Sequence, residues 1–395
     1  MEQQKNIYTK NLNLTVIETL LTSIGAGFSV PIINLFWNSI GMNQTDIGFV
    51  QMIFTIVLVF LDIPMGYIAD RFDRKAINII GDIGVAFTFL YYAFTKNIYA
   101  VILAESLLGL FIAMTNGVDQ SFIKYNCDMI DSTGKLFKKT NSQIHTLRYI
   151  FTFIVMLIGG FVSKYSLRLT IGMSFVPYII GGILAFFIKD LAKKAEKKHS
   201  NIIKDMFLNN KEVLKNKKTR TFVLAYVVGK EMTHPHIWIF TPLLIMVGVP
   251  IEIVSIGWIL SEIFKIIGAK LSEKMINIKT STKFALSIAI TVLWMLILVI
   301  NTNIFTVWVF VLNGLVLGLN SASLTASLQE SVEEQYQTSV MSIASTGARL
   351  FYIPLVYIIN YLGNFKLQWA LIGMIVIFVP ISIYVCKKLK KCEIE

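Results

Sequence analysis

Apolar residues run through this chain in blocks too long for the helices of a soluble core. Between Ile47 and Ile68 there is a single charge, Asp62, and then five of the seven residues from Ala69 to Lys75 are charged. A helix crosses a bilayer with roughly 20 apolar residues at 1.5 Å rise. Blocks of that length predict twelve spans, at 12–37, 46–69, 76–95, 99–122, 145–163, 168–188, 221–247, 251–270, 284–301, 304–328, 339–362 and 366–386. Most connections between them are short and polar. The exception is Ile188–Arg220, which carries eleven Lys and Arg and falls near the middle of the chain. The expected organisation is a six-helix bundle at 1–188, a basic linker at 189–220, a second bundle at 221–386 and a tail at 387–395. Within the linker, Ile202, Ile203, Met206, Phe207, Val213 and Leu214 recur at helical spacing, which suits a surface-lying amphipathic helix.

Composition agrees with a lipid solvent. The 395 residues are 55% hydrophobic and 15% charged, against about 25% charged in soluble proteins. The first apolar block lacks a small-residue cleavage site and is too long for a signal segment, so it is read as the first span. Three cysteines, Cys127, Cys386 and Cys392, form no disulfide or metal spacing. A net charge of +12 would suggest nucleic acid in a soluble protein, but here the cations are topological markers. With both termini inside, 28 of the 36 Lys and Arg face the cytoplasm, as the positive-inside rule asks. The expectation is a multi-pass protein of the cell membrane with no nucleic-acid partner. Phosphate-cradling loops, nucleophile elbows and zinc spacings are absent, so no enzyme, cofactor or metal site is expected.

The two halves echo one another. "GLFIAMTNG" from Gly109 matches "GLVLGLNSA" from Gly314, Arg148 matches Arg349, and "DIGF" at 46–49 matches "SIGW" at 255–258, all at offsets between 201 and 209. Shared offsets of this kind mark transporters built from internal repeats.

The charged turn carries a motif. "GYIADRFDRK" resembles the loop signature of the major facilitator superfamily, Gly-x-x-x-Asp-Arg/Lys-x-Gly-Arg/Lys-Arg/Lys, with Gly66, Asp70, Arg71, Arg74 and Lys75 at the matching places. It departs from the signature at Asp73, where the pattern has glycine. Upstream, "DIPMGYIAD" is similar to the Glu/Asp-x-Pro-x-Gly-x-x-Ala-Asp form of bacterial export-type members. The resemblance implies an all-α integral membrane fold of twelve transmembrane helices in two pseudo-symmetric six-helix halves. It also implies that the five motif residues act as a gate, with Asp70 at a helix amino end and the cations paired to carboxylates such as Asp119 and Asp82. Two features weigh against drug–proton antiport by resemblance. Glu105 stands four residues before Gly109, where such antiporters carry arginine, and "IVMLIGGFVSK" has no proline.

An ionisable residue inside a span costs at least about 2.5–3.5 kcal/mol and therefore faces a partner or a cavity. Asp62, Glu231, Glu18 and Glu105 are candidates for carrying a coupling proton. Asn116, Asp119, His234, Trp238, Asn313, Asn320 and Arg349 are candidates for lining a substrate cavity. Glu105, Gly109, Asn116 and Asp119 fall on one face of a continuous helix, and so do Glu231, His234, Trp238 and Thr241. Glu262 and Lys265 are placed to neutralise each other. His234 and His236, two apart on a helix, do not converge on a metal. The expected function is secondary transport of a small, partly apolar compound, most simply proton-coupled efflux of the multidrug or antibiotic type by a monomer. Import, symport or uniport of a metabolite, with Arg349 as the ligand where that metabolite is an anion, is the alternative.

Overall fold

The computed structural model describes residues 2–71, 73–190, 214–235, 237–333 and 336–393, with backbone alone at 2–5, 63, 66, 67, 69–71 and 338. The linker helix expected around 202–214 lies almost wholly outside them. No strand occurs among the described residues. In chain order the helices are α1 (Glu2–Ser29), α2 (Ile33–Ser39), α3 (Gln44–Arg71), α4 (Arg74–Phe94), α5 (Ile98–Thr115), α6 (Val118–Ile130), α7 (Lys135–Ser163), α8 (Leu167–Met173) and α9 (Phe175–Ala185). They continue as α10 (Lys217–Glu231), α11 (Ile237–Met246), α12 (Ile251–Lys274), α13 (Thr280–Ile300), α14 (Leu312–Glu330), α15 (Gln337–Phe365) and α16 (Leu367–Cys392).

Local chemistry explains where the helices stop. Pro31 separates α1 from α2, which leave it bent by 43°. Asn97, Ser166 and Asn216 cap α5, α8 and α10 by accepting backbone N–H groups. Asp73 does the same for α4, its carboxylate accepting from the backbone of Lys75 and Ala76 at 3.0 and 3.3 Å. The departure from the loop signature thus supplies a helix cap, which glycine could offer only without a side-chain acceptor. Gly117, at φ +82°, breaks the fourth expected span into α5 and α6.

Nine helical segments among the described residues are long and apolar enough to cross a membrane, or ten if α1 and α2 form one bent span. Each of the twelve expected spans has a helix or helix pair in its place, but length and composition do not carry all twelve. The seventh is interrupted between α10 and α11. The eighth, α12, is charged at Glu252, Glu262, Lys265, Lys270, Glu273 and Lys274. Glu262 and Lys265 do pair, at 3.2 Å.

The chain forms two compact units. Unit 1 comprises 1–42, 53–197 and 251–255, and unit 2 comprises 43–52, 198–250 and 256–395. In unit 1, α4 packs on α5 and α9, and α1 packs on α6, α7 and α9. In unit 2, α10 packs on α14, α15 and α16, while α13 packs on α14 and α16. Cys127 and Cys386 are buried, whereas Cys392 is half-buried with its thiol 3.6 Å from the Thr221 hydroxyl.

The internal repeat has a physical core. A Cβ placed on Gly109 of α5 would lie 3.2 Å from the Phe54 carbonyl oxygen of α3. At the equivalent place in unit 2, a Cβ on Gly314 of α14 would collide with the Ser261 carbonyl of α12, and one on Gly318 with that of Lys265. Only a residue without Cβ lets these backbones approach so closely. Gly314→Ala is therefore expected to destabilise the protein by about 1–3 kcal/mol, the usual cost of overpacking. Gly172→Ala, whose Cβ would meet only Ala93 Cβ at 3.3 Å, is the control. Thermal unfolding in detergent checks the pair, and equal melting temperatures would refute the close-approach account.

Candidate functional site

Unit 1 gathers carboxyl groups from three helices. Glu18 of α1 is fully buried, and the Asn78 amide of α4 donates to its Oε1. Asp82, one turn further along α4 and 3% exposed, lies within hydrogen-bonding reach of Glu18. Asp119, in the first turn of α6, faces Asn78 and Thr19 and feels the charge of Arg148 on α7. Gly181 of α9 lies beside the group, where a Cβ would meet Thr22 Cγ2 at 3.4 Å and Glu18 Cγ and Asp82 Oδ2 at 3.8 Å.

Several polar atoms of this cluster lack a partner among the described residues, the donors Thr19 Oγ1 and Arg148 Nε beside Asp119 among them. Glu18 Oε2, Asp82 Oδ2, Asp119 Oδ1 and Asn78 Oδ1 are all buried and accept no hydrogen bond from the described residues. A carboxyl–carboxyl hydrogen bond exists only when one partner carries a proton. The arrangement therefore suits proton binding better than an ion pair. No group of His, Cys, Asp and Glu among the described residues is arranged to hold a metal.

Unit 2 assembles a different chemistry around the break between α10 and α11. Glu231, 1% exposed, sits 3.4 Å from His234 Nδ1. The His234 ring stacks on Tyr352 of α15 at 4.5 Å, and the Trp238 indole N–H donates to the Tyr352 hydroxyl at 2.7 Å. Arg349, one turn before Tyr352, lies within electrostatic reach of Lys230 and Tyr226. The interrupted helix leaves carbonyls that water cannot reach. Asn313 and Asn320 of α14 donate to two carbonyls beside the break, of Thr233 at 3.2 Å and Gly229 at 3.0 Å. Both asparagines thus splint the break, with their own carbonyl oxygens buried and accepting nothing from the described residues. On the other side, Gln44 donates to the Trp238 carbonyl and to Asn360, each at 2.7 Å.

The other expected site residues are dispersed. Asp62 accepts from the Asn116 amide at 2.7 Å, so those two candidates meet. Glu105 is buried and receives the Tyr92 hydroxyl, away from the carboxyl cluster. The continuous face drawn through Glu105, Gly109, Asn116 and Asp119 does not exist, because Gly117 turns the chain between Asn116 and Asp119. Of the gate residues, the backbone of α3 runs through Gly66, Asp70 and Arg71, whose side chains lie outside the described residues, as does His236.

Arg74 and Lys75 have partners other than those expected. Arg74 pairs with Asp190 at 2.8 Å, donates to Ser121 at 2.6 Å and lies over the Phe122 ring. Lys75 donates to the Phe186 carbonyl at 2.6 Å. Asp82 is two turns from Arg74 on the same helix, about 12 Å along its axis, which puts it out of reach.

In the sequence, Asp82 stands out only as a partner for the gate cations, and neither Asn78 nor Tyr352 is singled out. The signal for the first two was present: Asn78 and Asp82 are an i,i+4 polar pair within an otherwise apolar stretch of α4. Tyr352 gave none beyond its spacing from Arg349.

The Major Facilitator Superfamily model matches residues 16–354, most of the chain. The chain belongs to that superfamily. That is a superfamily of multi-span membrane transporters, not of enzymes. The MFS-type transporter MJ1560 of Methanocaldococcus jannaschii is 23% identical over 176 residues, 45% of this chain and 39% of that protein's length. The MFS-type transporter YitZ of Bacillus subtilis is 24% identical over 155 residues, 39% of this chain and 92% of its own. The matched stretch thus spans well under half of the archaeal relative. Among solved structures, the nucleoside transporter NupG superposes with a TM-score of 0.76 at 14% identity, covering 98% of this chain and 99% of NupG. A bacterial homolog of the human lysosomal transporter Spinster gives 0.72 at 12% identity, covering 98% of each. At such identities the likeness concerns the fold of this major facilitator protein.

Glu105 is expected to behave as a structural residue. Tyr92→Phe removes the hydroxyl donor from a buried carboxyl group, at a cost of about 1–3 kcal/mol. Glu105→Gln keeps an acceptor for that hydroxyl and should be milder. Melting temperatures of the two variants, with transport measured alongside, check this. Transport lost in Glu105→Gln at unchanged stability would overturn it.

Proposed function

We propose that this transporter exports a small, partly apolar compound across the cell membrane in exchange for protons. In this reading it works as a monomer with both termini cytoplasmic. The observation that carries it is the buried group of Glu18, Asp82 and Asp119, each with an oxygen that accepts no hydrogen bond from the described residues. Protonation supplies a donor within the group, and deprotonation leaves adjacent buried charges that favour a rearrangement. Coupling between a proton gradient and a conformational change needs such a difference between the two protonation states.

His234, Trp238 and Tyr352 offer aromatic faces suited to a flat or cationic ligand. Export as the direction rests on the span-two resemblance. Asp62, which accepts from Asn116, and Glu231, which faces His234 at 3.4 Å, are the further proton carriers of this reading. Gly66, Asp70, Arg71, Arg74 and Lys75 keep their proposed role in gating.

One observation favours a second reading. NupG, a fold neighbour, is a nucleoside transporter, and Arg349 with Lys230 gives unit 2 a cationic element. Import of a polar metabolite with a planar ring fits those features.

The test is proton movement in proteoliposomes, with a pH dye inside and cationic, neutral and anionic compounds presented in turn, nucleosides among them. Exchange predicts substrate-driven proton flux that disappears in Glu18→Gln and Asp82→Asn. Loss in Asp62→Asn or Glu231→Gln instead would move the carrier to those residues. Substrate flux that persists in all four variants without any proton signal would overturn proton coupling. Proton and substrate moving in the same direction would establish the import reading.

A further inference from the structure

α6 and α7 are joined by the short turn at 131–134 and pack on one another as an antiparallel helical hairpin. The contacts between them follow one register. Cys127 of α6 has Thr140 of α7 within hydrogen-bonding reach. One turn earlier on α6 and one turn later on α7, Ile123 and Ile144 are buried in a single cluster with Leu12 of α1. A further turn in the same directions gives Asp119 and Arg148, which lie within electrostatic reach of each other. Residues four apart share a helix face, so both sides of this ladder are continuous. The packing of the hairpin therefore sets Arg148 opposite Asp119.

The pair is in reach but not closed. Arg148 Nε and Asp119 Oδ1 are both buried and make no hydrogen bond to the described residues. The charged and titratable groups around them are placed differently. Glu18 of α1 and Asp82 of α4 lie within hydrogen-bonding reach of each other, and Tyr178 of α9 stands near Asp82. Glu105 of α5 receives the Tyr92 hydroxyl. His145, exposed on α7, lies one turn before Arg148 and within its electrostatic reach. Arg74 of α4 reaches Ser121 of α6 but is paired with Asp190, and Arg168 of α8 donates to the carbonyls of Ala93 and Thr95. Of these cations, Arg148 is the one that the helix register brings to a carboxyl group of the cluster.

On the reading of Glu18, Asp82 and Asp119 as the proton-binding group, we propose that Arg148 is its counter-charge, closing onto Asp119 when a proton leaves and so setting the pH of proton exchange. A cation facing a buried carboxyl group favours its ionised form. Asp119 also stands in the first turn of α6, where the helix amino end favours an anion. The proton leaves to water, and the negative charge left behind meets the guanidinium instead of standing unpaired. Reprotonation neutralises Asp119 and releases the guanidinium. Arg148 acts through Asp119 as a positioning residue and carries no exchangeable proton itself.

The test needs no substrate. The full-length protein in liposomes is titrated while infrared spectroscopy follows the carbonyl band of protonated carboxyl groups, and Glu18→Gln, Asp82→Asn and Asp119→Asn assign that band. Arg148→Gln should hold the band to higher pH, with its midpoint moved up by about 1–3 units, because an opposite charge is gone. Arg148→Lys keeps the charge and should titrate close to wild type. Asp119→Asn with Arg148→Gln removes both charges and carries the test if Arg148→Gln alone does not fold. Its midpoint should equal that of Asp119→Asn. A midpoint unmoved in Arg148→Gln, or one that differs between the double variant and Asp119→Asn, would overturn the proposal and leave the proton-binding group standing. A band that never titrates, or that survives all three carboxyl substitutions unchanged, would remove the proton-binding group and this inference with it.

Discussion

A polar group sealed away from water must find its partner inside the protein, and in a membrane chain that constraint falls on side chains and backbone alike. Glu18 shows it for a side chain. Its Oε1 takes the Asn78 amide of α4, while Asp82 and Asp119 lie close by and Oε2 is left without a donor among the described residues. The same faces of α1, α4 and α6 also carry buried apolar residues, among them Leu12, Ile77, Ile79, Val118, Phe122 and Ile123. Faces that are apolar throughout have only lipid or one another to meet.

The same constraint governs the backbone. Where α10 gives way to α11, intrahelical bonds are lost, and two asparagines seven residues apart on α14 reach carbonyls on either side of the loss. On the other side, Gln44 takes the Trp238 carbonyl and is itself fixed by Asn360. The break therefore persists because side chains from other helices replace what the helix gave up. It also places an acid, an imidazole and two aromatic rings in one small region, a density that an uninterrupted apolar helix could not present. Unit 1 concentrates acids and unit 2 concentrates rings and cations, so the two repeats carry different chemistry on the same scaffold.

Much of this was legible in the sequence, because hydropathy and glycine placement are local signals. Apolar block length located a helix or helix pair for every expected span, and the Gly109 and Gly314 echo marked two equivalent close approaches of backbone. Charge signs suggested the Glu262–Lys265 pair. What escaped depends on neighbours distant in sequence. Asn78 and Asp82 gain their meaning only from Glu18, some sixty residues away. Asp190 claims Arg74 from across the bundle, a pairing no helical spacing announces. The fourth span stands as one membrane-length stretch, and only the continuous face drawn along it fails, because Asn116–Gly117 is a turn signal inside the apolar run. At Asp73 the departure from a family pattern became intelligible only once its carboxylate was seen capping α4.

The cysteines carry a practical corollary. Two of the three thiols are enclosed by packed helices, and the third, Cys392, stands partly open at the end of α16 beside Thr221 of α10. A maleimide dye under native conditions should therefore modify chiefly one place in the unaltered chain. Fluorescence from that label would report on the junction of α10 with α16 without any engineered residue, so the protein brings its own spectroscopic handle.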